Sequence, residues 1–393
     1  MSDRSFPRAA LVLGACIAGA LLGVSSAYAG PYSAEYVFGD SLSDNGNAAE
    51  LYNVAFFAGP PPAPPHGFYP GNFPDPPSYH DSFTNGPVAV QLLAQSLGLN
   101  ANPSLWVTGF SDPAGLFGGS SFVPGTNYAV GGATAVLGPP PPPGVPNTNL
   151  PSQVGAFSLH EGGVADPNAL YVVMIGGNDV RNAALGGTGT VDATGTLAIE
   201  NGVHAELTAI STLSHEGARD FLVVNVPNVG VIPEFALEKP ALANAATDYS
   251  QMYDSFLAAG LATLDPTLSP GTSLGEFNLY ALNTYILDNA LTYGFTNTTQ
   301  PCFANTPLSA VSDYGCVPEG PGANISSFIY WDRIHPTAGL QALWAESFRA
   351  AVPEPSTWAM ALIGFAGLGF AGKRGVRERI AASSARAAVT RRA

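Results

Sequence analysis

Short, unbroken apolar runs alternate along this chain with longer stretches whose apolar residues recur at helical spacing. The runs at 36–38, 169–175 and 221–226 contain almost no polar residue, the pattern of strands buried on both faces. Residues 126–134 read as a further short strand ending in a Gly-Gly turn, and 277–280 as a weaker one. Residues 85–98 read as a helix. Pro87 suits its first turn, Gly98 the position just past its end, and Val88, Leu92, Leu93 and Leu97 make one apolar face. Helical spacing also marks 201–215, the Ala-rich stretch 241–264, and 283–291. Strands alternating with helices predict an α/β fold with a parallel sheet covered on both faces. No second repeat or charge run marks another globular domain.

The two ends of the chain break this rhythm. Residues 1–29 carry Arg4 and Arg8, then an apolar run, then the small-x-small site Ala27-Tyr28-Ala29, the three parts of a signal peptide. Near the other end, 358–372 is a second apolar run, followed by Lys373-Arg374 and a basic tail. It is short against the roughly 20 residues that span a bilayer. Four segments are therefore expected: a signal peptide over 1–29, one catalytic-sized domain over 30–351, a membrane-associated segment over 352–374, and a basic cytoplasmic tail over 375–393. Inside the body, 59–81 and 139–143 are rich in Pro and Gly, which disfavours regular structure. The first insert also holds Phe68, Tyr69, Phe73 and Tyr79, and reads either as a rim over a site or as a plain surface loop.

Charge sharpens the picture. The 393 residues carry a net charge of −15. Of the 14 Lys and Arg, two precede the first apolar run and seven follow the last, leaving five in the body. A body so acidic is a poor match for nucleic acid, whose phosphates need Lys and Arg. Cys16 lies in the first apolar run, so Cys302 and Cys316 remain; in an exported protein they are expected to form a disulfide. With no clustered His or Cys beside them, neither a zinc site nor any other metal or cofactor is expected.

Candidate chemistry sits in two segments. After the run at 36–38, Gly39 permits a sharp turn, and Asp40-Ser41 stand where the strand ends, the place where open α/β sheets bind ligands. A Gly-Asp-Ser turn or an N-cap is the structural alternative. Far downstream, Asp332-Arg333-Ile334-His335-Pro336 places an acid three residues before an imidazole, so that the carboxylate can hold one ring nitrogen and leave the other for a nucleophile. An Asp cap with a surface His is the plainer reading there. Taken together, Ser41 is the candidate nucleophile, His335 the base and Asp332 its orienter. The Ser41 and Gly132 N–H groups and the Asn178 side chain, all at strand-end turns, are the candidate oxyanion donors. His66 and His80 lie in the insert, and His160, His204 and His215 lack a strand-end Asp nearby.

The blocks Gly39-Asp-Ser-Leu42, Asn127-Tyr-Ala-Val-Gly-Gly-Ala133, Gly176-Gly-Asn-Asp179 and Asp332-Arg-Ile-His335 occur in the order of the four blocks of the GDSL, or SGNH, lipase/esterase family, whose members include phospholipase-like proteins. Phe83-Thr-Asn-Gly-Pro87 and Val224-Asn-Val-Pro-Asn-Val-Gly230 also resemble family segments. The resemblance implies a three-layer α/β/α sandwich with a central, mostly parallel, flavodoxin-like sheet. It also implies metal-free hydrolysis of carboxylic esters or lipids. By position Ser41, Gly132, Asn178 and His335 match the family's four residues and Asp332 its triad acid, with Gly131 the neighbouring alternative for the glycine. Separately, Val352-Pro-Glu-Pro-Ser356, the apolar run and Lys373-Arg374 resemble the PEP-CTERM sorting signal of Gram-negative bacteria. That implies export, transient anchoring in the inner membrane and processing by an exosortase. Two other classes remain open: an acyltransferase or polysaccharide deacetylase using the same site, and a non-catalytic surface or matrix protein.

Overall fold

The computed structural model of the protein describes residues 32–48, 82–104, 106, 125–138, 147–302 and 325–352. The expected signal peptide, both proline-rich runs, Cys316 and the C-terminal sorting segment lie outside these residues.

Four parallel strands form the sheet in the order β1 (Glu35–Gly39), β2 (Leu170–Met174), β3 (Asp220–Val224), β4 (Ser273–Phe277). Their registers are aligned: Glu35 lies opposite Leu170, Leu170 opposite Asp220, and Asp220 opposite Ser273. The strands β1 to β3 are buried along their whole length, which is why they read as unbroken apolar runs. The edge strand β4 is half-exposed and carries Gly275 and Glu276, so its signal is weak.

The segment expected as a strand at 126–134 pairs with the free side of β1. Val37 N–H donates to Thr126 O at 3.0 Å, Tyr128 N–H to Val37 O at 2.8 Å, and Val130 N–H to Gly39 O at 3.2 Å. Only an isolated parallel bridge, Val37 with Asn127, forms, so this is an irregular edge. Counting it, the spatial order by chain position is second, first, third, fourth, fifth. This is the flavodoxin-like order, whose switch point lies at the carboxyl ends of β1 and β2.

Helices cover both faces. On one side α2 (Leu150–His160), α3 (Gly177–Gly186), α4 (Ala193–Glu216) and α5 (Ala243–Leu264) pack on one another. On the other α1 (Ala89–Ser96) packs on α7 (Ala338–Ala351), which also reaches β4. Tyr36 and Phe38, two apart on β1 and so on one face, meet the Phe157 ring edge-on at 5.0 and 5.5 Å, with Tyr128 and Tyr171 completing an aromatic core. Gly39 is required by close approach: a Cβ there would stand 2.5 Å from Met174 O on the neighbouring strand.

Boundaries differ from the sequence reading in three places, the first being the helix read at 85–98, which runs Ala89–Ser96 with Pro87 ahead of its cap Val88. The weak strand expected at 277–280 ends at Phe277, and α6 runs Leu279–Asp288 in place of 283–291. Asn278 caps that helix by accepting from Ala281 N–H, and Asn225 Oδ1, from the end of β3, accepts from Leu279 and Tyr280 N–H. With its first amides satisfied from outside, the helix starts directly after the strand. The helix read at 201–215 begins earlier, at Ala193, because Asp192 accepts from Gly195 N–H and caps a Gly- and Thr-rich first turn. A short parallel pair, β5 (Asn297–Pro301) with β6 (Phe328–Tyr330), precedes the Asp332 turn.

Candidate active site

The chain leaves β1 in a tight turn. Asp40 O accepts from Ser43 and Asp44 N–H, and Asp40 Oδ1 accepts from Leu42 N–H at 3.0 Å. Asp44 then binds four backbone amides: Gly46 and Asn47 on Oδ1, Ala48 and Gly131 on Oδ2. Asn47 Nδ2 donates to Asn127 O and Ala129 O at 2.8 Å, while Asn127 Nδ2 donates to Ser43 O and Asn45 Oδ1. These side chains stitch the turn after β1 to the turn at 131–132. Residue-level reading of the sequence missed all of them, although a run of Asp and Asn around a buried turn is the composition such stitching needs.

The second half of the site follows β6. Asp332 Oδ1 accepts from Ile334 and His335 N–H at 2.7 and 2.6 Å, folding the four residues into one turn. Its other oxygen lies 2.7 Å from His335 Nδ1, and His335 Nε2 lies 2.8 Å from Ser41 Oγ. With the carboxylate on Nδ1, the satisfying tautomer carries its proton there and accepts from the Ser41 hydroxyl at Nε2. All three residues are buried, and the Phe83 ring leans on the imidazole at 5.1 Å. A hydroxyl donating to an imidazole held by a carboxylate is an arrangement that makes serine nucleophilic.

Asn178 stands in the first turn of α3, just past the end of β2. Its Nδ2 donates one hydrogen to Ala133 O at 2.9 Å, and the residue lines the same pocket as Ser41. Gly132 holds a left-handed φ of +80°. Its neighbour Gly131 has its N–H committed to Asp44, so of the two glycines Gly132 is the one whose amide is uncommitted among the described residues. The structure thus brings Ser41, Asp332, His335 and Asn178 together and sets the Gly132 turn beside them through Ala133.

The pocket at Ser41 is small, about 50 Å³, and largely apolar, with Leu42, Val229, Ile232, Ile334, Leu340 and Trp344 in its walls. A cavity of about 910 Å³ opens between α2 and α4, but it holds no paired nucleophile: Ser158 there is bonded to Val154 O and Glu216. Chemistry, not size, selects the smaller one. Burial pushes the Asp40 carboxyl up to about 7 and Asp44 to about 6, the latter despite four amide donors. Asp179, holding Ala135 N–H at 2.8 Å, is pushed up to about 6 by the same cause. Burial works on Glu234 in the same direction, but hydrogen bonds and charge from Arg181, Lys239 and Arg333 outweigh it and hold that carboxyl down to about 2.

The other histidines are placed elsewhere. His160 Nδ1 lies 3.1 Å from Tyr128 OH, His204 and His215 are exposed on α4 with His204 lining the large cavity, and His66 and His80 lie outside the described residues. Cys302 is disulfide-bonded; its expected partner Cys316 lies outside the described residues. Among the described residues no group of three or more His, Cys, Asp or Glu could hold a metal ion.

Residues 36–348 match the family of GDSL-like lipases and acylhydrolases, and residues 351–375 match the PEP-CTERM protein-sorting motif. The sorting motif points to export in a Gram-negative bacterium and to processing by an exosortase. Among the described residues no helix is long and apolar enough to cross a membrane, and 358–372 lies outside them. A GDSL esterase/lipase of Arabidopsis thaliana is 26% identical over 77% of this chain and 83% of its own length. Lipase 1 of Photorhabdus luminescens is 32% identical over 55% of this chain, a match that spans 26% of that protein. An anther-specific proline-rich protein of Arabidopsis thaliana is 32% identical over 31% of this chain and 23% of its own length. With the match running from β1 through α7, the chain belongs to the GDSL-like lipase/acylhydrolase family, whose members hydrolyse ester bonds.

Proposed function

We propose that this ester hydrolase is an exported serine enzyme that cleaves carboxylic esters through an acyl-enzyme on Ser41. The observation that carries the reading is His335 standing between Asp332 and Ser41 with both ring nitrogens engaged, at 2.7 and 2.8 Å. His335 Nε2 takes the Ser41 proton as Oγ attacks the ester carbonyl carbon. The carbonyl oxygen becomes an oxyanion facing the Ser41 and Gly132 N–H groups and the second Nδ2 hydrogen of Asn178. Each such donor contributes about 10²–10³ in rate. Imidazolium then protonates the departing alcohol, and water, deprotonated by the same nitrogen, releases the acid and restores Ser41. Asp332 keeps the imidazole in the working tautomer throughout. An alcohol in place of that water would make the enzyme an acyltransferase, and an acetylated sugar in place of a lipid a deacetylase; both would use these same groups.

Export rests on the proposed signal peptide at 1–29 together with the sorting motif. In this reading 30–351 is the secreted domain, 352–374 holds it at the inner membrane until an exosortase acts, and 375–393 stays in the cytoplasm. Cys302 pairs with Cys316 in the oxidising compartment. Mass spectrometry of the secreted protein should find those two joined; two free thiols would reject the pairing.

The test of the central reading is turnover of a panel of nitrophenyl acyl and acetyl esters by wild type and by His335→Ala. Loss of all turnover in a protein with an unchanged melting temperature is expected, and wild-type turnover would refute it.

A further inference from the structure

Between its two apolar ends the chain has five Lys and Arg residues, and three of them, Arg181, Lys239 and Arg333, meet on one carboxylate. That carboxylate, Glu234, is fully buried. Its Oε2 accepts from Arg181 Nε at 2.5 Å. Its Oε1 accepts from Arg181 Nη2 at 2.8 Å, Lys239 Nζ at 2.8 Å and Arg333 Nη2 at 2.5 Å. The Glu234 N–H donates to Arg333 O at 2.9 Å, so main chain and side chain grip the same residue.

Net stability is a poor reason for such a cluster, since apolar side chains of equal volume commonly stabilise as well as buried ions do. Where the arms lead is more telling. Arg181 is three residues after Asn178 on α3, hence on the same helix face, and it lines the Ser41 pocket. Arg333 stands between Asp332 and His335. The turn that begins at Glu234 follows directly on Val229 and Ile232, which are walls of that pocket. One carboxylate therefore joins the helix that presents the Asn178 amide to the turn that presents the His335 imidazole. Lys239 leads to neither; it lies five residues on from Glu234 in the same local segment.

We propose that Glu234 is a positioning residue: through Arg181 and Arg333 it fixes the separation of Asn178 from His335, so that base and oxyanion donor address one carbonyl. The proposal rests on the Ser41–His335–Asp332 reading above. A misplacement of 1 Å is worth about 10²-fold in rate, which sets the scale of the effect.

The experiment compares Arg333→Met, Lys239→Met and Glu234→Gln in the full chain. It measures kcat and KM on a nitrophenyl ester and the urea midpoint. Severing the Arg333 arm should lower kcat about 10–100-fold with KM within about threefold. Lys239→Met should keep kcat within about twofold, whatever it does to the urea midpoint. If Glu234→Gln fails to fold, the two arm variants still decide. In an Asn178→Ala background Arg333→Met should lose much less kcat than in wild type, because the donor whose placement it secures is gone. Wild-type kcat in Arg333→Met, full additivity in that cycle, or equal kcat losses in both arm variants that follow their urea midpoints would each overturn the proposal. Ser41→Ala, run alongside, separates the two readings. Turnover surviving Ser41→Ala removes the triad and this proposal with it. A dead Ser41→Ala beside an unimpaired Arg333→Met removes the positioning role alone.

Discussion

The turn after β1 and the segment that starts at Glu234 both bury carboxylates, and they hold them by different means. Asp44 is held by four backbone amides and Asp40 by one, with no Lys or Arg on either among the described residues. Their carboxyls are pushed up to about 6 and about 7. Glu234 is equally buried, binds two guanidinium groups and an ammonium, and is held down to about 2. Four neutral donors orient an anion well but do not restore the hydration it loses; three cations more than restore it. The Ser41 side is thus built for backbone geometry, shaping the turns at 39–48 and 131–132. The Glu234 side fixes whole elements by charge.

The largest loss is expected at a third carboxylate, Asp332, which holds two amides and one imidazole N–H. Asp332→Asn keeps an oxygen for the Ile334 and His335 amides but stabilises the wrong imidazole tautomer. Turnover should fall about 10⁴-fold with a native fold, read as kcat against the circular dichroism melt. Asn178→Asp sharpens the role of the neutral donor. A carboxylate there faces a developing negative charge, so kcat should fall about 10²–10³-fold with KM and melting temperature little moved. Glu234→Gln leaves three cations around a neutral group, of which Lys239 and Arg181 can turn to water. Denaturant unfolding should show a loss of about 3 kcal/mol, at the low end for a broken buried pair. Asp44→Asn, which removes no cation's partner, should lose less.

The contrast also shows in pH, and its sign differs between the two regions. Glu234 is depressed from its ordinary 4.5 to about 2, so the folded state binds fewer protons there than the unfolded one. Its contribution is complete above about pH 4.5 and is lost as pH falls toward 2. Asp40 and Asp44 are raised from 3.8, so the folded state holds protons longer. Their contribution is complete below about pH 3.8 and is lost as pH rises through 6 and 7. Melting temperatures across pH 2–8 should therefore flatten at the acid end in Glu234→Gln and between pH 4 and 6 in Asp44→Asn. Unchanged slopes in both would erase the contrast.

Much of this molecule was legible in its residues. The strands β1 to β3 announce themselves because burial on both faces leaves them apolar after their first residues, Glu35 on β1 and Asp220 on β3. Ser41 at a strand end and Asp332 three residues before His335 are local patterns, and His335 Nε2 lies 2.8 Å from Ser41 Oγ. What escaped was set by partners far along the chain. The end of β4 depends on Asn225, 54 residues before the Leu279 amide it accepts. The Asp44, Asn47 and Asn127 stitching joins loops about 80 residues apart. Glu234 meets Arg181 and Arg333 across 53 and 99 residues, and no window of sequence contains the three.

The proposed mechanism needs Ser41 as the nucleophile, and covalent capture tests that most directly. Wild type, Ser41→Ala and His335→Ala would be incubated with a nitrophenyl phosphonate, which forms a stable adduct on an activated serine, and mapped by peptide mass spectrometry. One adduct on Ser41 in the wild type is expected, appearing in step with loss of esterase activity, absent from Ser41→Ala and at least about 10³-fold slower in His335→Ala. An adduct on another residue that tracks inactivation, or ester turnover undiminished in Ser41→Ala, would contradict it.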